Sequence, residues 1–313
     1  MAHLYLHIGT PKAGSSSIQN FLLQEGPGSP FEYIDSCGGL CGHKFLSVPS
    51  FRGQVAPEIE ARIPRKYRLS GLQDIAWDQI EAEIRDKAAS GRPFFISEEH
   101  FYMVYDKDSV AIAALAARLR SLFDTVTILV YLRDQRAYVK SLYSQLVKRG
   151  RTVQSFGQYV NSADRLRDLV DYATRLDLWG TAFGQSNIQA VHFDRAAFPE
   201  GNVLLDLLAR LGVDDPALRD RARAFRKQNV SPTYVQMELI RHATRLGLNS
   251  KMRRRWINNR HMRRLSDATL PDTWDDLILN FSARGNAYVN RTYLTDAAPG
   301  LPVCPAEEER DPG

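Results

Sequence analysis

The sequence predicts an α/β fold: three layers, α/β/α, around a central and mainly parallel sheet, with a helical C-terminal part. Three observations predict it. Short apolar runs near 4–6, 94–97 and 126–132, with a further strand over 187–193, alternate with helical patterns, as β-α-β crossovers require. The run Val126-Thr127-Ile128-Leu129-Val130-Tyr131-Leu132 is almost wholly apolar and β-branched, the composition of a strand covered on both faces. Between the first run and the first helical pattern lies His7-Ile8-Gly9-Thr10-Pro11-Lys12-Ala13-Gly14-Ser15-Ser16-Ser17. Such a strand, Gly-bounded loop and helix aim amide N–H groups and the positive end of a helix dipole at an anion.

The loop has the spacing Gly9-x-x-x-x-Gly14 of a nucleotide-triphosphate loop, but Ser15 stands where that loop needs lysine. The lysine, Lys12, sits inside the loop instead. A displaced cation followed by hydroxyls points away from magnesium-assisted γ-phosphoryl transfer. After the helix that begins at Ile18, the segment from Glu25 to about Ser70 is irregular. It contains Cys37, Cys41 and His43; a fourth ligand is not evident, so it reads as a Gly-rich loop and no metal is expected. Apolar positions Ile80, Ile84 and Ala88 predict a helix over 74–90, stopped by Gly91 and Pro93.

The strand 94–97 ends in Glu98-Glu99-His100. Titratable residues just past the carboxyl end of a strand in an open sheet stand where ligands bind, although a solvated polar pair fits equally. A helix over Ser109–Phe123 leads to the strand 126–132, which delivers Arg133-Asp134-Gln135-Arg136 and then a helix carrying Ser141. A guanidinium at a strand end binds phosphate bidentately, and a helix hydroxyl adds a hydrogen bond. Residues 152–179 read as mostly helical, 187–193 as a strand, and 202–211 as a helix closed by Gly212. Beyond it the chain turns helical and basic. Asn229 and Ser231 read as a polar turn capping a helix started by Pro232, and the cluster 251–264 as a solvated helical face.

Composition narrows the classes. Of 313 residues 44% are hydrophobic and 25% charged, with a net charge of +5 and three cysteines. These values fit a soluble globular protein with anionic ligands and no disulfide framework. No apolar run approaches the ~20 residues of a membrane span, and no secretory signal is visible. A cytoplasmic location is therefore expected.

Two motifs together resemble those of the sulfotransferases that use 3′-phosphoadenosine 5′-phosphosulfate (PAPS). Thr10-Pro11-Lys12-Ala13-Gly14-Ser15-Ser16 resembles the family's 5′-phosphosulfate loop. Tyr131-Leu132-Arg133-Asp134 through Ser141 is similar to its 3′-phosphate motif. The resemblance implies a bacterial-type enzyme transferring a sulfuryl group to a hydroxyl or amine, with 3′,5′-adenosine bisphosphate as product and no metal. Pro11 to Ser17 would hold the 5′-phosphate, Lys12 would neutralise leaving-group charge, and Arg133 and Ser141 would read the 3′-phosphate. The base implied is Glu99, with Glu98 and His100 as rivals. Many members place Trp after the loop hydroxyls to stack on adenine; here Ser17 stands there. Asn229 and Ser231 are expected to close over the cofactor. Residues 1–300 would form a single domain, with an α/β core over 1–212 and a mostly helical part over 213–300; 301–313 would be a disordered tail. The acceptor would be a small molecule, lipid or saccharide, with no nucleic acid and at most peripheral membrane contact. The alternatives are a nucleotide-dependent kinase and a non-enzymatic anion- or glycan-binding module.

Overall fold

The computed structural model describes residues 2–25, 29–34, 81–99, 101–102, 109–225, 233–247, 270, 272–294 and 299–303. His100, Asn229, Ser231, the segment with Cys37, Cys41 and His43, the cluster 251–264 and most of the tail lie outside them. The chain forms two units interleaved along the sequence. One comprises Met1–Leu132, Tyr172–Phe225 and Val289–Gly300; the other comprises Arg133–Asp171, Arg226–Tyr288 and Leu301–Gly313.

The first unit holds the sheet: β1 His3–Gly9, β2 Glu32–Tyr33, β3 Phe94–Ser97, β4 Thr125–Leu132 and β5 Ile188–His192. The order is β2-β3-β1-β4-β5 and every pairing is parallel. Two groups of helices cover its faces. On one lie α1 (Ser15–Glu25), α8 (Val203–Arg210) and α9 (Pro216–Ala224), which bury Ile18, Phe21, Leu22, Leu204 and Leu218 with Phe95, Leu129 and Tyr131 of the strands. The other face is covered by α3 (Ser109–Arg120) and α7 (Tyr172–Phe183). Covering both faces explains why Leu4, Leu6, Ile8 and residues 128–132 are all fully buried. The described residues 81–87 are helical (α2) and lead into a 3-10 turn Ala88–Ser90 that ends at Gly91, whose φ of 69° is the left-handed conformation that glycine takes without strain. The helix predicted to reach Phe123 stops at Arg120, and Phe123 turns in against Phe94 at a centroid distance of 5.2 Å.

The second unit is helical: α4 Gln135–Lys148, α5 Phe156–Val160, α6 Ala163–Val170, α10 Tyr234–Arg245 and the first part of α11 (Asp275–Thr292). Its core joins Val139, Tyr143, Phe156, Tyr159, Met237 and Ile278. Sequence-local chemistry sets the helix starts. Asp134 caps α4 by accepting from the amides of Arg136 and Ala137, and Ser155 caps α5 through a box with Gln158. The start expected at Pro232 is corrected: α10 begins at Tyr234, because Thr233 and Gln236 form the capping box there. Lys140 bridges to Asp272 and Asp275, 2.6 Å each. Among the described residues no helix is long and apolar enough to cross a membrane.

Candidate functional site

β3, β1 and β4 are neighbours and parallel, so their carboxyl ends share one edge of the sheet. From β3 and β1 the chain departs as Glu98 and Thr10, while β4 ends at Leu132, the last residue of this stretch of the first unit. This edge is where ligands bind in open α/β sheets.

The loop after β1 is pinned from both sides. Thr10 donates twice to the Tyr131 carbonyl of β4, from its amide and its hydroxyl, at 2.9 Å each. The buried Ser15 hydroxyl donates back to the Thr10 carbonyl at 3.0 Å. Ser15 therefore braces the loop, while Ser16 is exposed and Ser17 half-buried. Pro11 and Ala13 are buried beneath it. The Ala13 amide reaches the Thr10 carbonyl, and those of Ser17 and Ile18 reach the Gly14 carbonyl. The amides of Gly14, Ser15 and Ser16 have no hydrogen-bond partner among the described residues. That leaves consecutive donors at a helix N-terminus, the arrangement that takes an anion.

Two backbone features belong to the same loop. Gly14 has φ 85°, and a Cβ added to it would stand 3.1 Å from Phe193 and 3.3 Å from Val203. Lys12 has φ 71°, a left-handed conformation that costs a side-chain-bearing residue about 1–2 kcal/mol. Strain of this kind concentrates at functional sites.

Beside the loop, Glu98 is fully buried and Glu99 half-buried. The Glu98 amide donates to the His7 carbonyl at 2.9 Å, continuing the β1–β3 ladder one step past Ser97. A Cβ on Gly9 would meet the Glu99 Cα at 3.5 Å, so the Glu99 backbone lies against the root of the loop. The first unit thus brings together the loop residues and Glu99. Three polar residues that sequence reasoning left aside lie just behind them. His7 Nδ1 stands 2.7 Å from Ser97 Oγ, to which Gln19 Nε2 donates at 3.2 Å. Burial pushes the His7 imidazole down to about 4, against an opposing backbone hydrogen bond at Gly9. Strand alternation places His7 and Ser97 on the α1 face, but their meeting with Gln19 is set by how α1 crosses the sheet.

Arg133 and Ser141 belong to the second unit. Both are half-buried. α4 begins at Gln135, which puts Ser141 roughly 9 Å along the helix. Burial pushes the Asp134 carboxyl up, but the Arg136 guanidinium and the Ala137 and Arg136 amides outweigh it and hold it below its ordinary value. Gln135 and Asn286 exchange reciprocal amide hydrogen bonds of 2.5 and 3.1 Å, and Asn286 also donates to the Pro302 carbonyl at 2.7 Å. Among the described residues no group of three or more His, Cys, Asp or Glu side chains is arranged to hold a metal ion.

No protein-family model matches the chain. An uncharacterized protein of Archaeoglobus fulgidus is 36% identical over 94 residues, 30% of this chain and 24% of that protein; the match thus spans less than a quarter of that relative's length. Among solved structures, a sulfotransferase from Alicyclobacillus acidocaldarius is similar with a TM-score of 0.45 and 18% identity, over 80% of this chain and 98% of that one. The sulfotransferase domain of the Synechococcus PCC 7002 olefin synthase is similar with a TM-score of 0.36 and 15% identity, over 79% of this chain and 94% of that one.

Proposed function

We propose that the chain is a PAPS-dependent sulfotransferase acting on a hydroxyl or amine of a small molecule, lipid or saccharide. The observation that carries this reading is the loop after β1: three consecutive amides without a partner among the described residues, in a loop whose lysine lies inside it at φ 71°. These residues fit a 5′-phosphosulfate. When bound, PAPS supplies the activated sulfuryl group. The amides of Gly14, Ser15 and Ser16 hold the 5′-phosphate, with the exposed Ser16 hydroxyl beside them. Lys12 neutralises the charge that grows on the 5′-phosphate oxygen as its bond to sulfur breaks. Glu99 takes the proton from the acceptor as the new bond to sulfur forms, with His100 and Glu98 as rival bases. Arg133 and Ser141 take the 3′-phosphate, an assignment that rests on the motif resemblance; Asn229 and Ser231, outside the described residues, are assigned to close over the nucleotide from their sequence position after the last strand alone.

The test is transfer of labelled sulfate from PAPS to a small-molecule extract of the source cell, followed by identification of the product. Transfer by the native chain and its loss in Lys12→Ala are expected. Transfer that persists in Lys12→Ala, or magnesium-dependent ATP hydrolysis by the native chain, would overturn the reading.

A further inference from the structure

His7, Ser97 and Gln19 meet inside an otherwise apolar layer. Their exposures are 0%, 0% and 5%. The His7 ring stands 6.2 Å from the Phe95 ring and 5.9 Å from that of Tyr131. Apolar residues of similar size would fill this space at equal or lower free energy, since buried polar groups only recover their desolvation through hydrogen bonds. The network therefore contributes position more than stability. A hydrogen bond fixes distance and direction, whereas apolar contacts tolerate repacking.

The places these residues occupy say what is positioned. His7 lies two residues before Gly9, where the phosphate loop begins. Ser97 is the last residue of β3, directly before Glu98 and Glu99. Gln19 lies one turn into α1, the helix whose first amides face the candidate anion site. One oxygen, Ser97 Oγ, so joins the strand entering the loop, the helix leaving it and the strand that leads to Glu99.

We infer that Gln19, Ser97 and His7 are positioning residues that hold the Glu99 backbone in register with the phosphate loop without touching cofactor or acceptor. Calling Glu99 the base rests on the proposed function; the register claim does not. With its imidazole titrating only at about 4, His7 stays neutral near neutral pH, so the relay keeps one state there.

Amide hydrogen exchange on the full chain tests the register, using Ser97→Ala and Gln19→Met. Both variants should exchange roughly tenfold or more faster than the native chain at the hydrogen-bonded amides of Glu98, Ser17 and Ile18, with the β4 amides unchanged. Gln19→Met leaves the His7–Ser97 pair intact and gives an answer even if Ser97→Ala fails to fold. Unchanged exchange in a folded variant, or acceleration spread evenly over the sheet, would overturn the inference. Labelled PAPS and the cell extract supply the catalytic readout. The variants should lower kcat roughly tenfold to a hundredfold, as a misplacement of ~1 Å does, with KM for PAPS nearly unchanged. Ser97→Thr, which restores the hydroxyl, should recover most of kcat. A change in KM alone, or no recovery in Ser97→Thr, would count against positioning. If the native chain transfers no sulfate, the proposed function fails and the exchange result still decides the register.

Discussion

Lys12 combines an unusual backbone with a charge. At φ 71° it pays for a conformation that glycine would take at no steric cost, so Lys12→Gly should leave folding unharmed or improved. Activity should nevertheless fall by about a hundredfold to a thousandfold, as when a single transition-state donor is removed, with denaturant unfolding run beside the rates. Gly14 is the opposite case. Its φ of 85° strains any side chain, and a methyl group would crowd Phe193 at 3.1 Å, so Gly14→Ala should lose both stability and anion binding. His7 makes a prediction about pH. The unfolded chain takes up a proton at His7 near 6.5, the folded chain only near about 4. The unfolded state therefore binds more protons in that window. The contribution is full above 6.5 and is lost as pH falls toward 4, by up to roughly 3 kcal/mol. Urea unfolding at pH 7 and pH 4.5 should show the drop, and His7→Gln should show a smaller one.

At the scale of elements, strand ends and helix caps carry the account. Asp134 caps α4 and pairs with Arg136 at 2.5 Å; Asp134→Ala should cost about 1 kcal/mol, read as a lowered urea midpoint. In α5, a Cβ on Gly157 would stand 2.6 Å from the Trp274 ring, so Gly157→Ala should destabilise by about 1–3 kcal/mol. Much of this level was legible in the sequence. β4 announces itself as an apolar run because a parallel sheet is covered on both faces. The loop announces itself because glycine and small residues at fixed spacing have few other uses. Other features were not legible. Thr233 prevailed over Ser231 as a helix cap because a box with Gln236 satisfies two amides at once, and Ser15 spends its hydroxyl within the loop. The meeting of Gln19 with Ser97 depends on the path of α1 over the sheet, and the reciprocal pairing of Gln135 with Asn286 depends on contacts between residues far apart in sequence. Neither leaves a periodic trace.

At the scale of the whole molecule, the sheet order β2-β3-β1-β4-β5 puts β1 between the strands that end at Ser97 and Leu132. Within the first unit two stretches with different chemistry, an amide-lined loop and a pair of carboxylates, thus leave neighbouring strands at one edge. The net charge of +5 favours an anionic ligand. A ligand that binds only the folded chain raises its stability by mass action, by about 2.7 kcal/mol at a hundredfold excess over Kd. Thermal unfolding should respond to 3′,5′-adenosine bisphosphate in this way. The most direct measurement is calorimetric titration of the native chain with 3′,5′-adenosine bisphosphate and, separately, with ATP and magnesium. The account predicts tight binding of the bisphosphate, much weaker binding of ATP, and loss of the preference in Arg133→Ala. Equal affinity for the two nucleotides, or affinity for neither, would contradict it.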